Sequence, residues 1–218
     1  MFLGHAAVAF AAKPKLSHRS LGVLVAGAYL IDLVWPVLLL LGVERVEIRP
    51  GDTAFTPLAF EHYPWSHSLL GALGWGLLFA FVVLRGRLAP LGEAAWLVGL
   101  VLSHWLLDLV THRSDLPLAP GADLRVGFGL WNSVAGTLLV EGAFFAVALG
   151  LYLRNSRAGD RTGTWALAGL VVLLAAIWAS GPFSPPPPSA RAIAYVGLLT
   201  WLIPLWAGWI DRHRSSRS

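Results

Sequence analysis

The stretch LSHWLLDLVTHRSD, residues 102–115, puts His104, Asp108, His112 and Asp115 at the end of a run otherwise rich in Leu, Val and Trp. His104 and Asp108 are four residues apart, so a helix carries both on one face. One more helical turn adds His112 to that face. A second group, EHYPWSHS at 61–68, holds His62 and His67 on either side of Pro64. That proline marks a turn into the next apolar run, and Ser66 is expected to cap the helix start. The chain has no cysteine, so disulfides and thiolate metal sites are excluded. Imidazoles and carboxylates alone are the donor set for Zn²⁺, Mn²⁺ or Fe²⁺. Such a group can also pass protons along an ion path.

The elements that must position these groups are membrane helices. Of the 218 residues only 13% are charged, about half the share in a soluble domain, and 56% are hydrophobic. The expected fold is therefore all-α, a polytopic integral membrane helical bundle. Apolar runs at 20–42, 67–84, 90–111, 134–153, 164–182 and 191–210 each approach the roughly 20 residues that a spanning helix needs. This predicts about six spanning helices. The run 2–12 is too short to cross and is expected as a half-helix packed against the others. The opening segment lacks a basic first region and carries His5, so it is expected to stay in the chain and not to act as a cleaved signal. SPPPPS, 184–189, reads as a stiff extended connector. No repeat or second domain is visible. The expectation is one membrane domain over 1–218, with 1–141 carrying the polar groups and 160–218 adding two spans and a basic tail.

Basic residues alternate between connections: Lys13, Lys15 and Arg19; Arg85 and Arg87; Arg154, Arg157 and Arg161; Arg212, Arg214 and Arg217. The remaining connections are neutral or acidic, with Glu44, Glu47, Asp52 and Glu61 set against Arg45 and Arg49. The positive-inside rule then places the chain in the cytoplasmic (inner) membrane with its C-terminus cytoplasmic. The net charge of +4 is spread over helix ends, which signals topology and argues against a nucleic-acid partner.

On this frame the ionisable groups converge. At 1.5 Å per residue, Asp32, His104 and Glu141 all lie roughly 20 Å above the inner ends of their helices, and His67 and Asp108 roughly 27 Å. His5 lies roughly 12 Å above Lys13 if the short helix descends from the outer side. A carboxylate at mid-helix costs on the order of 3 kcal/mol on insertion scales, so such groups face a partner or a wet cavity. The polar connections at 43–66 and 112–133 close over that level. Glu141 has a bland alternative, a tie to Asn132 or Ser133. His18 and His213 lie among basic residues and carry no expected role. Trp131 is expected as an interfacial anchor.

YPWSHSLL, SHWLLDLVTH and FGLWNS resemble the membrane-bound metal-dependent hydrolase family, with its THSL-like element and HxxxD helix. The family is related in ligand pattern to zinc-dependent phospholipase C. The resemblance runs from His5 to about Glu141. It implies metal roles for His5, Asp32, His62, His67, His104 and Asp108. Two positions depart from the pattern: LIDLV keeps only Asp32 of a Pro-Asp-x-Asp element, and Ser66 replaces the Thr of THSL.

The function expected is hydrolysis of a phosphoester or related ester at the outer face, the substrate being a membrane lipid or a small molecule. The cofactor would be a divalent metal ion, zinc first and manganese or iron next. His67, His104 and Asp108 are expected as core ligands, and Asp32 and Glu141 as the catalytic carboxylates. The rival readings are a metal-ion or proton transporter and a non-catalytic protein that uses metal to hold its helices. A transporter needs polar groups along its whole depth, whereas LGVLVAGAYL, LLFAFVVL and AWLVGLV are apolar throughout.

Overall fold

The architecture is taken from a computed structural model, which describes residues 1–85 and 91–216. Arg87 and Arg217 of the charge pattern, and the Pro90 expected near a helix start, lie outside the described residues. Among the described residues the chain is a helical bundle. Its helices are α1 (Phe2–Ala12), α2 (Leu21–Leu40), α3 (Pro64–His67), α4 (Leu69–Leu84), α5 (Leu91–Thr111), α6 (Val134–Asn155), α7 (Arg161–Ser180), α8 (Ala190–Leu198) and α9 (Leu202–Arg212). A 3₁₀ turn at Leu199–Trp201 joins α8 to α9, so that Ala190–Arg212 forms one apolar rod. Among the described residues five helices are long and apolar enough to cross a membrane: α2, α5, α6, α7 with its 3₁₀ extension, and the α8–α9 rod. The sixth expected span, α4, has 16 residues and extends about 24 Å, short of a full crossing.

Local chemistry starts these helices. Ser20, Ser68, Ser133, Asp160 and Ser189 each accept a hydrogen bond from a first-turn amide, at 2.8–3.1 Å, which satisfies donors that the helix itself leaves open. Ser68, and not Ser66, caps α4; Ser66 lies inside α3, the separate turn before it.

Helix α2 is the hub, packing against α1, α4, α5, α8 and α9. Its Gly22 lies so close to α9 that a Cβ there would come 2.6 Å from the Pro204 carbonyl and 2.9 Å from Gly208. Small residues allow this approach between membrane helices, where packing replaces the hydrophobic drive. The short α1 is buried on nearly every side, with Leu3, Ala6, Ala7, Ala9 and Phe10 at most 2% exposed. Leu77, Phe81, Val82, Leu139, Val147 and Val172 point outward, as lipid-facing positions do.

The polar connections hold more structure than expected. Strands β1 (Arg45–Ile48) and β2 (Leu58–His62) pair antiparallel, with Val46 opposite Phe60. Strands β3 (Leu116–Pro117) and β4 (Arg125–Val126) form a second small pair. Both belong to the bundle end where α2 and α5 finish. At the other end β5 (Ser156–Ala158) pairs with β6 (Arg214–Ser216), gathering the basic connections there.

Candidate metal centre

Helices α1, α2, α3 and α5 each deliver donors to one place. His5, His104 and Asp108 form one group of possible metal ligands and Asp32, His67 and His104 another, with the donor atoms of each group within 4.8 Å of one another. His104 belongs to both. His5 stacks on it with ring centroids 3.5 Å apart. The side chains of His5, His67, His104 and Asp108 are 4% exposed or less, whereas that of Asp32 is 31% exposed.

The spacings suit a shared ion. Two ligands about 2.05 Å from a tetrahedral metal are about 3.4 Å apart. His104 Nε2 is 3.2 Å from Asp108 Oδ2 and 3.6 Å from Asp32 Oδ1. His67 Nε2 is 3.5 Å from Asp32 Oδ1, and His5 Nε2 is 3.4 Å from Asp108 Oδ1. The longest of these separations is His67 Nε2 to Asp108 Oδ2, at 3.9 Å.

The surrounding hydrogen bonds set the tautomers. His104 Nδ1 lies 2.9 Å from the Ala28 carbonyl, which can only accept, so Nδ1 carries a proton and the neutral ring offers Nε2 as its lone pair. That Nε2 is buried and completes no hydrogen bond among the described residues. Ser66 Oγ donates to Glu44 Oε2 at 2.6 Å and lies 2.7 Å from His67 Nδ1. Its one proton is committed to Glu44, so it accepts from His67 Nδ1–H. In its neutral form His67 also aims the Nε2 lone pair at carboxylates. A cation between nitrogen and carboxylate, a proton or a metal ion, relieves the repulsion there. Both imidazoles are thus oriented as ligating histidines are, through their second nitrogen. The donor set fits a divalent ion.

Glu44 supports this arrangement and carried no sequence signal as a site residue. It is 1% exposed and accepts from Trp65 N and Ser66 N at 2.9 and 2.8 Å besides Ser66 Oγ. Charge and position in a polar connection made it look like any loop carboxylate; only the fold of α3 over the end of α2 buries it.

The other predicted residues fall around the cluster. Glu141 stands outside both donor groups. It accepts from Leu3 N at 3.0 Å and not from Asn132 or Ser133, while the Met1 amino group pairs with Asp108. These contacts tie the first turn of α1 to α6 and α5. His62 is set apart: β2 carries it into a different cavity beside Glu44, Arg45 and Glu61, so the two histidines flanking Pro64 diverge. His18 pairs with Glu93 and His213 with Asp160, each at 2.7 Å.

Beside the donors is a cavity of about 240 Å³ that Asp32, His67, Asp108 and His112 reach, with Trp35 and Phe60 among its apolar walls. Trp131 lines it too, packed 4.4 Å from the His112 ring. It is thus a wall of the cavity as well as a residue of the polar connection. His112 Nδ1 lies 3.0 Å from Asp115 Oδ1, which also accepts from Tyr63 Oη at 3.0 Å. Burial works against the Asp115 anion, but His112, Tyr63 and Arg113 outweigh it and hold the carboxyl below its usual range. Burial, reinforced by Asp115, holds the Tyr63 hydroxyl well above its ordinary value and keeps it a donor.

A family model described as YdjM inner membrane protein matches residues 1–184, a span that includes every residue of the cluster. No curated protein and no solved structure matches the chain.

Proposed function

The chain belongs to the YdjM inner membrane protein family, and from that membrane setting we propose that it is a metal-dependent hydrolase of a phosphoester or related ester, with the His/Asp cluster as its active site. The observation that carries this reading is the pair of donor groups sharing His104, opening onto a small cavity with aromatic walls. His5, His67, His104, Asp108 and Asp32 would hold the ion, zinc first by donor type. A divalent ion bound there supplies Lewis acidity toward an ester oxygen and makes a water more acidic.

The chain's own residues do the rest. Asp32 is the most exposed of the donors and lines the cavity; with Oδ1 facing His67 and His104, its other oxygen takes the proton from the attacking water. His112, held by Asp115 across the cavity, gives a proton to the departing oxygen. Trp35, Phe60 and Trp131 exclude bulk water and suit an apolar substrate body such as an acyl chain. Glu141, in this reading, positions α1 and does not meet substrate. By the positive-inside rule the site faces outward, with the C-terminus cytoplasmic.

The apolar interior favours this over a transporter. Below the cluster, Leu24, Val25, Phe10, Leu97 and Phe145 form one continuous apolar core, whereas a transporter needs a polar path to the other face.

The test is metal content of the detergent-purified protein beside His104→Ala and Asp108→Ala, followed by hydrolysis assays on phospholipids and on nitrophenyl phosphate esters. Stoichiometric metal in wild type, lost in both variants, with metal-dependent turnover, supports the proposal. Metal without turnover on any ester removes the hydrolase and leaves a structural ion. No metal after reloading removes both.

A further inference from the structure

A second cavity of about 240 Å³ lies at the opposite end of the bundle, reached by Lys13, Tyr152, Asn155, Ser156, Asp211 and Arg214. The rise from His5 to Lys13 along α1 is about 12 Å, and from Glu141 to Tyr152 along α6 about 16 Å. Phe10, Phe145 and Ala148 fill the space between. The cavity is therefore separate from the His/Asp cluster, and its chemistry is independent of any metal held there.

Its two cations are treated differently. Lys13 is matched: Nζ lies 2.8 Å from Asp211 Oδ1 and donates to the Ser17 and Arg19 carbonyls at 3.1 and 2.6 Å. Its three protons and its charge are all used. Arg214 is not matched. Its Nη1 and Nη2 donate to neutral acceptors, the Gly163 carbonyl and Ser156 Oγ, each at 3.1 Å. Its Nε is buried and completes no hydrogen bond among the described residues, and it forms no ion pair with them. Pairing of β6 with β5 holds Arg214 in place, with its guanidinium carbon 5.5 Å from the Tyr152 ring centre. Tyr152 is 1% exposed, and its Oη, close to Ser156 and Arg214, completes no well-formed hydrogen bond among the described residues.

A half-buried guanidinium without a counter-charge is costly. So is each buried donor without an acceptor. Here Arg214 Nε–H and Tyr152 O–H, with Ser156 beside them, line one cavity. One anion with several acceptor oxygens can satisfy both donors and the charge. The surrounding connections carry Lys15, Arg154 and Arg157, and basic pockets between helix ends at the cytoplasmic surface meet phosphate headgroups. We propose that the cavity framed by Tyr152, Ser156 and Arg214 binds a phosphate group. A lipid headgroup and free phosphate share that chemistry.

The experiment uses delipidated full-length protein in a neutral detergent, with chelator present so that binding at the His/Asp cluster does not contribute. The unfolding midpoint is followed against inorganic phosphate, and separately against phosphatidic acid with diacylglycerol as the phosphate-free control. The expected result is a saturable rise with phosphatidic acid or phosphate and none with diacylglycerol. Tyr152→Phe should raise the half-saturating concentration about tenfold, and Arg214→Gln by at least as much, as loss of a hydrogen bond to a charged group implies. A response to phosphatidic acid alone assigns the headgroup, and one to inorganic phosphate assigns the free ion. The proposal is overturned if neither probe moves the midpoint, or if wild type and Tyr152→Phe saturate at the same concentration. Should Arg214→Gln fail to fold, Tyr152→Phe decides alone.

Discussion

Glu44→Gln tests whether the hydrogen bonds around His67 prepare it as a metal ligand. The substitution preserves volume and leaves one amide oxygen to accept from Trp65 N and Ser66 N, at 2.9 and 2.8 Å in the wild type. It removes the acceptor of the 2.6 Å bond from Ser66 Oγ and puts an NH₂ there instead. Ser66 must then turn its proton elsewhere, and His67 Nδ1, at 2.7 Å, is the acceptor in reach. That bond requires the proton of His67 to move to Nε2, where it blocks the lone pair facing Asp32. One charge-assisted hydrogen bond is lost in exchange for a neutral one, about 1–3 kcal/mol of stability. Disturbing a ligand's outer partner costs about 10–100-fold in metal affinity. Competition with a chromophoric chelator measures that affinity, and thermal unfolding in chelator measures the fold alone. The exposed Glu47→Gln is the control and should change neither. If Glu44→Gln holds metal as tightly as wild type while remaining folded, the tautomer argument fails and His67 is not prepared by this network.

Packing and charge set three further outcomes. Gly22→Val places a side chain against the Pro204 carbonyl and Gly208; separating α2 from α9 should cost about 1–3 kcal/mol, read as a lower unfolding midpoint in detergent, whereas the same change at Gly74, with open space around it, should be silent. Phe10→Ala empties the contact between Phe10, Phe145 and Tyr152, whose ring centres are 5.8 and 5.1 Å from it; the expected cost is about 3–5 kcal/mol, and a shift below about 1 kcal/mol would mean that α1 is not the centre of this core. The Asp115 carboxyl titrates below its ordinary value of 3.8 in the fold, so its stabilising effect is present above that value and lost as pH falls through the lower, folded one. Asp115→Asn should therefore reduce stability at neutral pH and flatten the loss as pH falls below about 4; an unchanged acid limb would show that Asp115 contributes nothing to it.

Composition and periodicity determined the class of this protein, because lipid leaves a spanning chain few options. Backbone groups must bond within the segment, so apolar runs of spanning length read directly as helices, and four of the longest appear with small boundary shifts in α2, α5, α6 and α7. Helical spacing likewise made His104 and Asp108 legible as neighbours, since residues four apart share a face whatever surrounds the helix. Depth along each helix indicated that Asp32, His67 and His5 lie near them, but a level in the membrane does not say which faces meet. The tertiary packing decided that: it turned His5 onto His104, brought Asp32 between His67 and His104, and left Glu141 and His62 outside both groups. It also decided what no local pattern carries. Glu44 and Ser66 matter because α3 folds back over the end of α2, and Arg214 lines a cavity because the tail pairs with residues nearly sixty positions earlier. Sequence spacing reports neighbours on one element, while orientation between elements comes from the fit of whole surfaces, and the chemistry of this site depends on that orientation.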